Sequence, residues 1–250
     1  MQNLEFFKER RTVRRYSDRE VSDSELRDML RAAMQAPNTG NMQQYSVVVT
    51  RSDEGKQLLA PAHFNQPSVM GASVVLTFCV DFNRFERWCR LNDAQPGYDN
   101  FQAFLWGVID TTIFAQQFCT IAEMNGLGCC YLGTTTYNAP QIAEALRLPD
   151  RVVPVVTLTV GYPEGEAPLS DRLPAEAIIH SERYADYSDD DIRRAYAYKE
   201  SLPESHGFVK ENGKQTLAQV FTDVRYTRDA NEHFSRLYRD FIESRGFKLD

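Results

Sequence analysis

The stretch Phe101 to Met124 constrains this chain more than any other. It is apolar on most faces and far longer than a strand, and Gly126 follows it where a left-handed C-terminal cap is expected. It therefore reads as a helix through the middle of a core. Asp110, Gln116, Gln117 and Glu123 make it too polar for a bilayer span. A helix buried around most of its circumference needs layers to pack against, and the sequence supplies them. Val-rich runs at 45–50, 74–80 and 152–160 read as strands buried on both faces, with a shorter strand at 127–132.

Helices are expected between these strands. A short one covers 3–9, and the capping box Ser22-x-x-Glu25 opens a second that runs to about Ala36 and stops at Pro37. Asn138 is expected to cap a third, with Pro140 near its start and its end near Leu146. The alternation predicts a sheet with helices on both faces. From Gly161 the texture changes: Pro163, Pro168 and Pro174 punctuate a polar stretch that reads as an ordered loop. A helix at 189–199 follows, then a polar segment, 203–214, expected to be the most mobile loop. A last helix at 229–245 carries Phe234, Leu237, Tyr238, Phe241 and Ile242 on one face. With no internal repeat, residues 1–250 read as one domain with a C-terminal helical extension from about residue 185.

Charge and composition remove several function classes. Lys and Arg number 28 against 35 Asp and Glu, a net charge of −7, which disfavours nucleic acids and anionic membranes as partners. The five cysteines are odd in number and lack CxxC spacing, so they read as buried thiols in a reducing compartment. No secretory pattern opens the sequence, and a cytoplasmic location is expected. The four histidines are scattered without metal-ligand spacing, so no metal site is expected. There is no G-x-S-x-G elbow, and Gly207 to Lys214 has the wrong spacing for a P-loop. Gly126-Leu127-Gly128 lacks the third glycine of a dinucleotide fingerprint and runs from helix to strand, the reverse of the order pyrophosphate binding needs.

Against the acidic background stands a basic island. Lys8, Arg10, Arg11, Arg14, Arg15 and Arg19, with only Glu9 and Asp18 among them, give a local charge of +4. Either the island is a solvated face paired with acidic neighbours, or it grips an anion through several guanidinium forks. In an extended segment Arg10, Thr12 and Arg14 project to one side, and a hydroxyl between two arginines suits a phosphate. A second polar cluster, Asn38-Thr39-Gly40-Asn41-Met42-Gln43, offers short groups able to hold a heteroaromatic edge or a ribityl chain, though the same residues also make an ordinary turn. Phe101, Phe104, Trp106, Tyr45 and Phe64 suit either the core or a pocket wall.

Taken in order, Arg10-x-Thr12-x-Arg14, Ala36 to Gln43, Gly126-Leu127-Gly128 before Tyr131-Leu132-Gly133, and Arg172-Leu173-Pro174 resemble the FMN-dependent nitroreductases and flavin reductases, in their long-chain, NADPH-preferring branch. The resemblance runs from Phe6 to about Tyr184, and the C-terminal helix also fits. It implies an α+β fold of three layers, α/β/α, with a mixed central sheet, and an intertwined homodimer with FMN sites along the interface. It further implies ping-pong hydride transfer through flavin N5, from NADPH or NADH to nitroaromatic, quinone or flavin acceptors, with no catalytic side chain needed.

By position, Arg10, Arg11, Thr12 and Arg14 match the first flavin-contacting segment, and Asn38 and Thr39 match a Ser-Ser pair that reaches FMN. Gln66 falls where the branch places an amide near the isoalloxazine ring. Tyr131, Leu132, Gly133 and Thr134 match the segment whose backbone N–H groups face N5 and O4, and Arg172 matches a phosphate-binding arginine. Lys210, Lys214, Arg225 and Arg228 are either candidates for the NADPH ribose phosphate or ordinary solvated surface charges. Two departures stand out: Ser170 replaces the family's lysine, and Thr134 replaces the second glycine of a Gly-Gly pair. They keep open a flavoprotein of the same fold with another reaction, such as dehalogenation or flavin fragmentation, alongside a non-enzymatic phosphoanion-binding protein.

Overall fold

The computed structural model describes residues 4–249, and its chain divides into two compact units: residues 4–168 with 234–249, and residues 169–233. In the first unit, α1 covers Leu4–Lys8; Asn3, expected to start it, lies outside the described residues. Helix α2, Asp23–Ala33, begins at Ser22, whose Oγ accepts the Glu25 N–H at 3.2 Å while the Glu25 carboxylate accepts the Ser22 N–H, the reciprocal cap that the sequence predicts. It ends three residues before the expected stop.

Four strands follow: β1 Tyr45–Thr50, β2 Val74–Asp81, β3 Gly128–Leu132 and β4 Val152–Gly161. They pair in the order β1-β2-β4-β3, and every pair is antiparallel. The expected mixed sheet is thus corrected. One long helix between strands returns the chain for a parallel neighbour, but β1 and β2 are joined by two short helices, α3 (Asp53–Leu59) and α4 (Pro67–Gly71). Strand β2 is buried along its whole length, whereas β1 is an edge strand with Val49 exposed, so only β2 is fully buried as predicted.

Between β2 and β3 lie α5, Asn83–Leu91, and α6, Phe101–Met124, the latter with the bounds the sequence predicts. Asn100 caps α6, and Gly126, at φ +80°, closes it with Leu127 N–H bonded to Ala122 O at 3.0 Å. Helix α7, Ala139–Ala145, lies between β3 and β4. Helices cover both sheet faces. Leu76, Phe78, Leu158 and Val160 pack with Phe114 and Phe118 of α6 and with Leu26 and Met29 of α2. On the other face Val75 packs with Leu59, Val69 and Ile142 from α3, α4 and α7. The two-residue alternation of β2 divides these layers.

The basic island is laid along this sheet. Val13 N–H bonds to Cys129 O at 3.1 Å, Ser17 N–H bonds to Tyr162 O at 2.8 Å, and the Tyr16 hydroxyl donates to Val13 O at 2.8 Å. The approach depends on Gly128: a Cβ there would lie 2.4 Å from Val13 Cβ.

The second unit contains α8, Asp189–Ser201, opened by a Ser188–Asp191 capping box, then α9, Pro203–Glu211, and the short α10, Leu217–Val220. The segment 203–214, expected as a loop, is mostly helical. Pro203 occupies the first turn, where its missing N–H costs nothing, and Ser205 Oγ donates to Lys199 O at 2.7 Å to tie the helix to α8. A last helix, α11 Arg228–Ser244, crosses the division between the units. No described helix is long and apolar enough to cross a membrane. The five cysteines are all buried and unpaired.

Candidate functional site

An open cavity of about 490 Å³ lies beside the basic island, between Thr12 to Arg15 and the segment 164–168. The arginines around it are not equivalent. Arg10 is half-buried and pairs with Glu123 of α6 at 3.1 Å. Burial works against its charge, yet Glu123 and Cys119 more than offset that and raise its pKa. Burial also lifts the Glu123 carboxyl above the usual carboxylate range, with Arg10 holding it back in part. Arg11 pairs with Glu166 and donates to Ala167 O at 3.0 Å. Arg14 and Arg15 are exposed, line the cavity, and have no carboxylate in salt-bridge range among the described residues. Of these four arginines, Arg10 and Arg11 pair with acidic neighbours, whereas Arg14 and Arg15 do not.

The second polar cluster is anchored from α6. Asp110 is 2% exposed, and it accepts the Thr39 N–H on both carboxylate oxygens and the Thr39 hydroxyl, each at 3.0 Å. Burial raises its pKa, and the Thr39 bonds oppose that rise. Asn38 Oδ1 accepts the Gln43 N–H at 3.1 Å and closes the turn. Thr39 thus has its own hydroxyl engaged, and Asn38 keeps its amide nitrogen only weakly held, 3.5 Å from Ala36 O.

Beyond β3, Gly133 to Thr135 form a 3-10 turn whose N-terminal cap is Leu132, a side chain with no acceptor to offer the leading N–H groups. Leu132 itself is buried, Gly133 is exposed, and Tyr131 is half-buried with its hydroxyl on Gln116 Oε1 at 3.2 Å. The turn is fastened from behind. His63 Nδ1 lies 2.8 Å from Thr134 Oγ1, and Asn138 Nδ2 donates to Ala62 O at 2.8 Å. Asn138 stands at the start of α7 as predicted, but its side chain makes this tie instead of capping the helix. His63 is fully buried, which lowers its pKa to about 4. Gln66, half-buried, opens α4 three residues further on.

Ser170 and Arg172 belong to the second unit, where both are exposed; Arg172 donates to Asp171 O at 2.8 Å and to Ser170 O at 3.3 Å. Of the cations proposed for a ribose phosphate, Lys214 pairs with Asp223 at 3.0 Å and Arg225 stacks on Phe208 at 4.0 Å. Lys210 lines a hollow with His206 and Gln215 and has no ion pair among the described residues. Of the ambiguous aromatics, Tyr45 and Phe104 are core, whereas Phe64 and Phe101 are exposed.

Four participants escaped the sequence reading: Asp110, Glu123, Glu166 and His63. A lone carboxylate inside an otherwise apolar helix was the available signal for Asp110 and Glu123. The other two have no local pattern, because their partners lie far along the chain.

The model of the Nitroreductase family matches residues 7–162, well over half of the sequence. The chain belongs to the nitroreductase family. Among its relatives, the FMN reductase [NAD(P)H] of Bacillus subtilis is 30% identical over 246 residues, covering 96% of this chain and 95% of that protein. The oxygen-insensitive NADPH nitroreductase of Salmonella typhimurium is 31% identical, with 85% of each chain covered. In structure, this family member superimposes on a candidate oxidoreductase of Bacteroides fragilis with a TM-score of 0.97 at 52% identity, covering 99% of this chain and 100% of that one. It matches NfrA2 of Bacillus megaterium with a TM-score of 0.85 at 28% identity, over 99% and 98% of the two chains.

Proposed function

We propose that this nitroreductase-family chain is an FMN-dependent NAD(P)H oxidoreductase acting as a cytoplasmic homodimer, with 1–250 as one nitroreductase-like domain and its C-terminal extension. The family match carries the reading, with relatives named as FMN reductase and NADPH nitroreductase. When bound, FMN supplies the hydride chemistry between NAD(P)H and a flat nitroaromatic, quinone or flavin acceptor.

The residues present fit that cofactor in two observed respects. Arg14 and Arg15 face an open cavity without carboxylate partners, and the turn at 133–135 has no side chain capping its leading N–H groups. On this reading Thr12 and Arg14 hold the phosphate; Arg172 and Ser170, which lie in the second unit, are assigned to the cofactor by the family resemblance alone. Arg10 and Arg11 act mainly by fixing the segment to α6 and to 166–167. Asn38, Thr39 and Gln66 present polar groups to the ring and its side chain, with Thr39 held in place by Asp110. Tyr131, Leu132, Gly133 and Thr134 offer backbone N–H groups to the ring edge. No protein acid or nucleophile is required, so these residues bind, orient and exclude water.

Two further observations bear on the homodimer and its compartment. Phe101, Leu105, Ile109 and Ile113 recur every four residues along α6 with exposures of 54, 37, 47 and 37%, an apolar stripe suited to a second copy of the chain. Five unpaired buried thiols suit a reducing compartment. The test is Arg14→Gln. Loss of a charge-assisted contact to phosphate should raise the Kd for FMN by about tenfold or more, measured by equilibrium dialysis. A wild-type Kd would remove Arg14 from the site.

A further inference from the structure

The ring of Phe64 is held in a conformation that folding alone does not favour. After α3 the chain passes through the 3-10 turn Pro61–His63 and closes with Phe64 N–H bonded to Pro61 O at 3.0 Å and Asn65 N–H to Ala60 O at 2.8 Å. Phe64 and Asn65 are both left-handed, each with φ of 53°. Glycine adopts such a position freely, whereas a bulky side chain is disfavoured there. Burial of the ring is the ordinary compensation, but Phe64 remains 55% exposed.

The loop is nonetheless tied at two points. His63 and Asn138 tie it to the turn that follows β3. The Phe64 ring meets Phe234 edge-on at 6.5 Å, and Phe234 stacks on Tyr137 at 4.4 Å with the planes 11° apart. Tyr137 N–H bonds to Thr134 O at 3.1 Å. An aromatic wall therefore rises beside the turn at 133–135, with an exposed ring at its outer edge.

We propose that Phe64 is a specificity-determining residue, whose exposed face stacks on flat aromatic electron acceptors and selects them over acceptors without a ring. The inference rests on the flavin-dependent reading of the preceding section. A ring held edge-on against Phe234 has less freedom to lose on stacking than an unsupported side chain, which favours it for this task.

The test compares wild type with Phe64→Ala, Phe64→Gly, Phe64→Tyr and Phe64→Trp, each loaded with FMN and desalted. Nitrobenzene is titrated without NADPH and followed through the flavin absorption band, and NADPH-driven reduction of ferricyanide is measured separately. Loss of one aromatic pair should weaken nitrobenzene binding roughly 2- to 12-fold in the Ala and Gly variants. Tyr and Trp should retain it, and ferricyanide reduction should be unchanged throughout. The Gly variant suits the left-handed backbone, so it keeps the loop while deleting the ring. Retained flavin with wild-type nitrobenzene binding in both truncations would overturn the role of Phe64 alone, as would equal losses with both acceptors. A wild-type protein that keeps no flavin would overturn the underlying reading and this inference with it.

Discussion

Asp110 is a carboxylate placed where water cannot reach it, and three hydrogen bonds from one threonine offset part of that cost. Asp110→Ala strands the Thr39 N–H and frees the turn at 38–43, so a loss of about 2 kcal/mol is expected in urea unfolding. Asp110→Asn keeps an acceptor oxygen and should lose less. His63 makes a pH-dependent contribution. Its folded pKa of about 4 lies below the ordinary value of 6.5, so the unfolded chain binds the extra proton first as pH falls. The stability it contributes is complete above pH 6.5 and is lost as pH falls through the folded pKa, to a total on the order of 3 kcal/mol. Asp110 and Glu123, with raised pKa values, act in the opposite sense and lose their contribution as pH rises through those values. Comparing the acid limb of wild type with that of His63→Phe isolates the histidine: a flatter limb between pH 6.5 and 4 is expected, and an unchanged slope would show that His63 is not buried as a neutral ring.

At the scale of elements, the site depends on how closely the 10–17 segment lies against β3. Gly128→Ala places a methyl group within 2.4 Å of Val13 Cβ, so the segment must shift. A destabilisation of about 1–3 kcal/mol and weaker FMN retention are expected together, and Val13→Ala in the same chain should recover much of both. Failure of the second substitution to rescue would show that the clash is relieved elsewhere.

This scale also explains what was legible in the sequence. Strands β1 to β4 and helix α6 carry their own signals, Val-rich runs and a long apolar stretch ended by Gly126, because their burial is written in local residue type. Helices α3 and α4, seven and five residues long, are too short for a helical period to emerge from them. The 203–214 segment looked like a loop because its polar residues outweigh a single Pro start signal. In the site, the Arg10-x-Thr12-x-Arg14 alternation and the 131–134 segment were visible as motifs. Which arginine is engaged was not, since Glu123 and Glu166 reach Arg10 and Arg11 from more than a hundred residues away. Strand direction was missed for a similar reason: it depends on how the connections fold, not on the strands.

For the whole molecule, the exposed stripe along α6 carries the oligomeric prediction. Ile109→Glu with Ile113→Glu places two charges in the proposed contact. Sedimentation is expected to report a dimer for wild type and a monomer for the double variant, with far-UV circular dichroism unchanged. A dimer that survives both charges would mean that the stripe lies outside the interface.

The central claim is that this member of the nitroreductase family binds FMN and uses it to accept reducing equivalents from NAD(P)H. It is tested most directly by the visible absorption spectrum of the purified chain after FMN addition and desalting, followed by anaerobic NADPH. The account predicts retained flavin bands that bleach on NADPH addition and return with a nitroaromatic or quinone. A colourless protein, or a bound flavin that NADPH and NADH both leave oxidised, would contradict it.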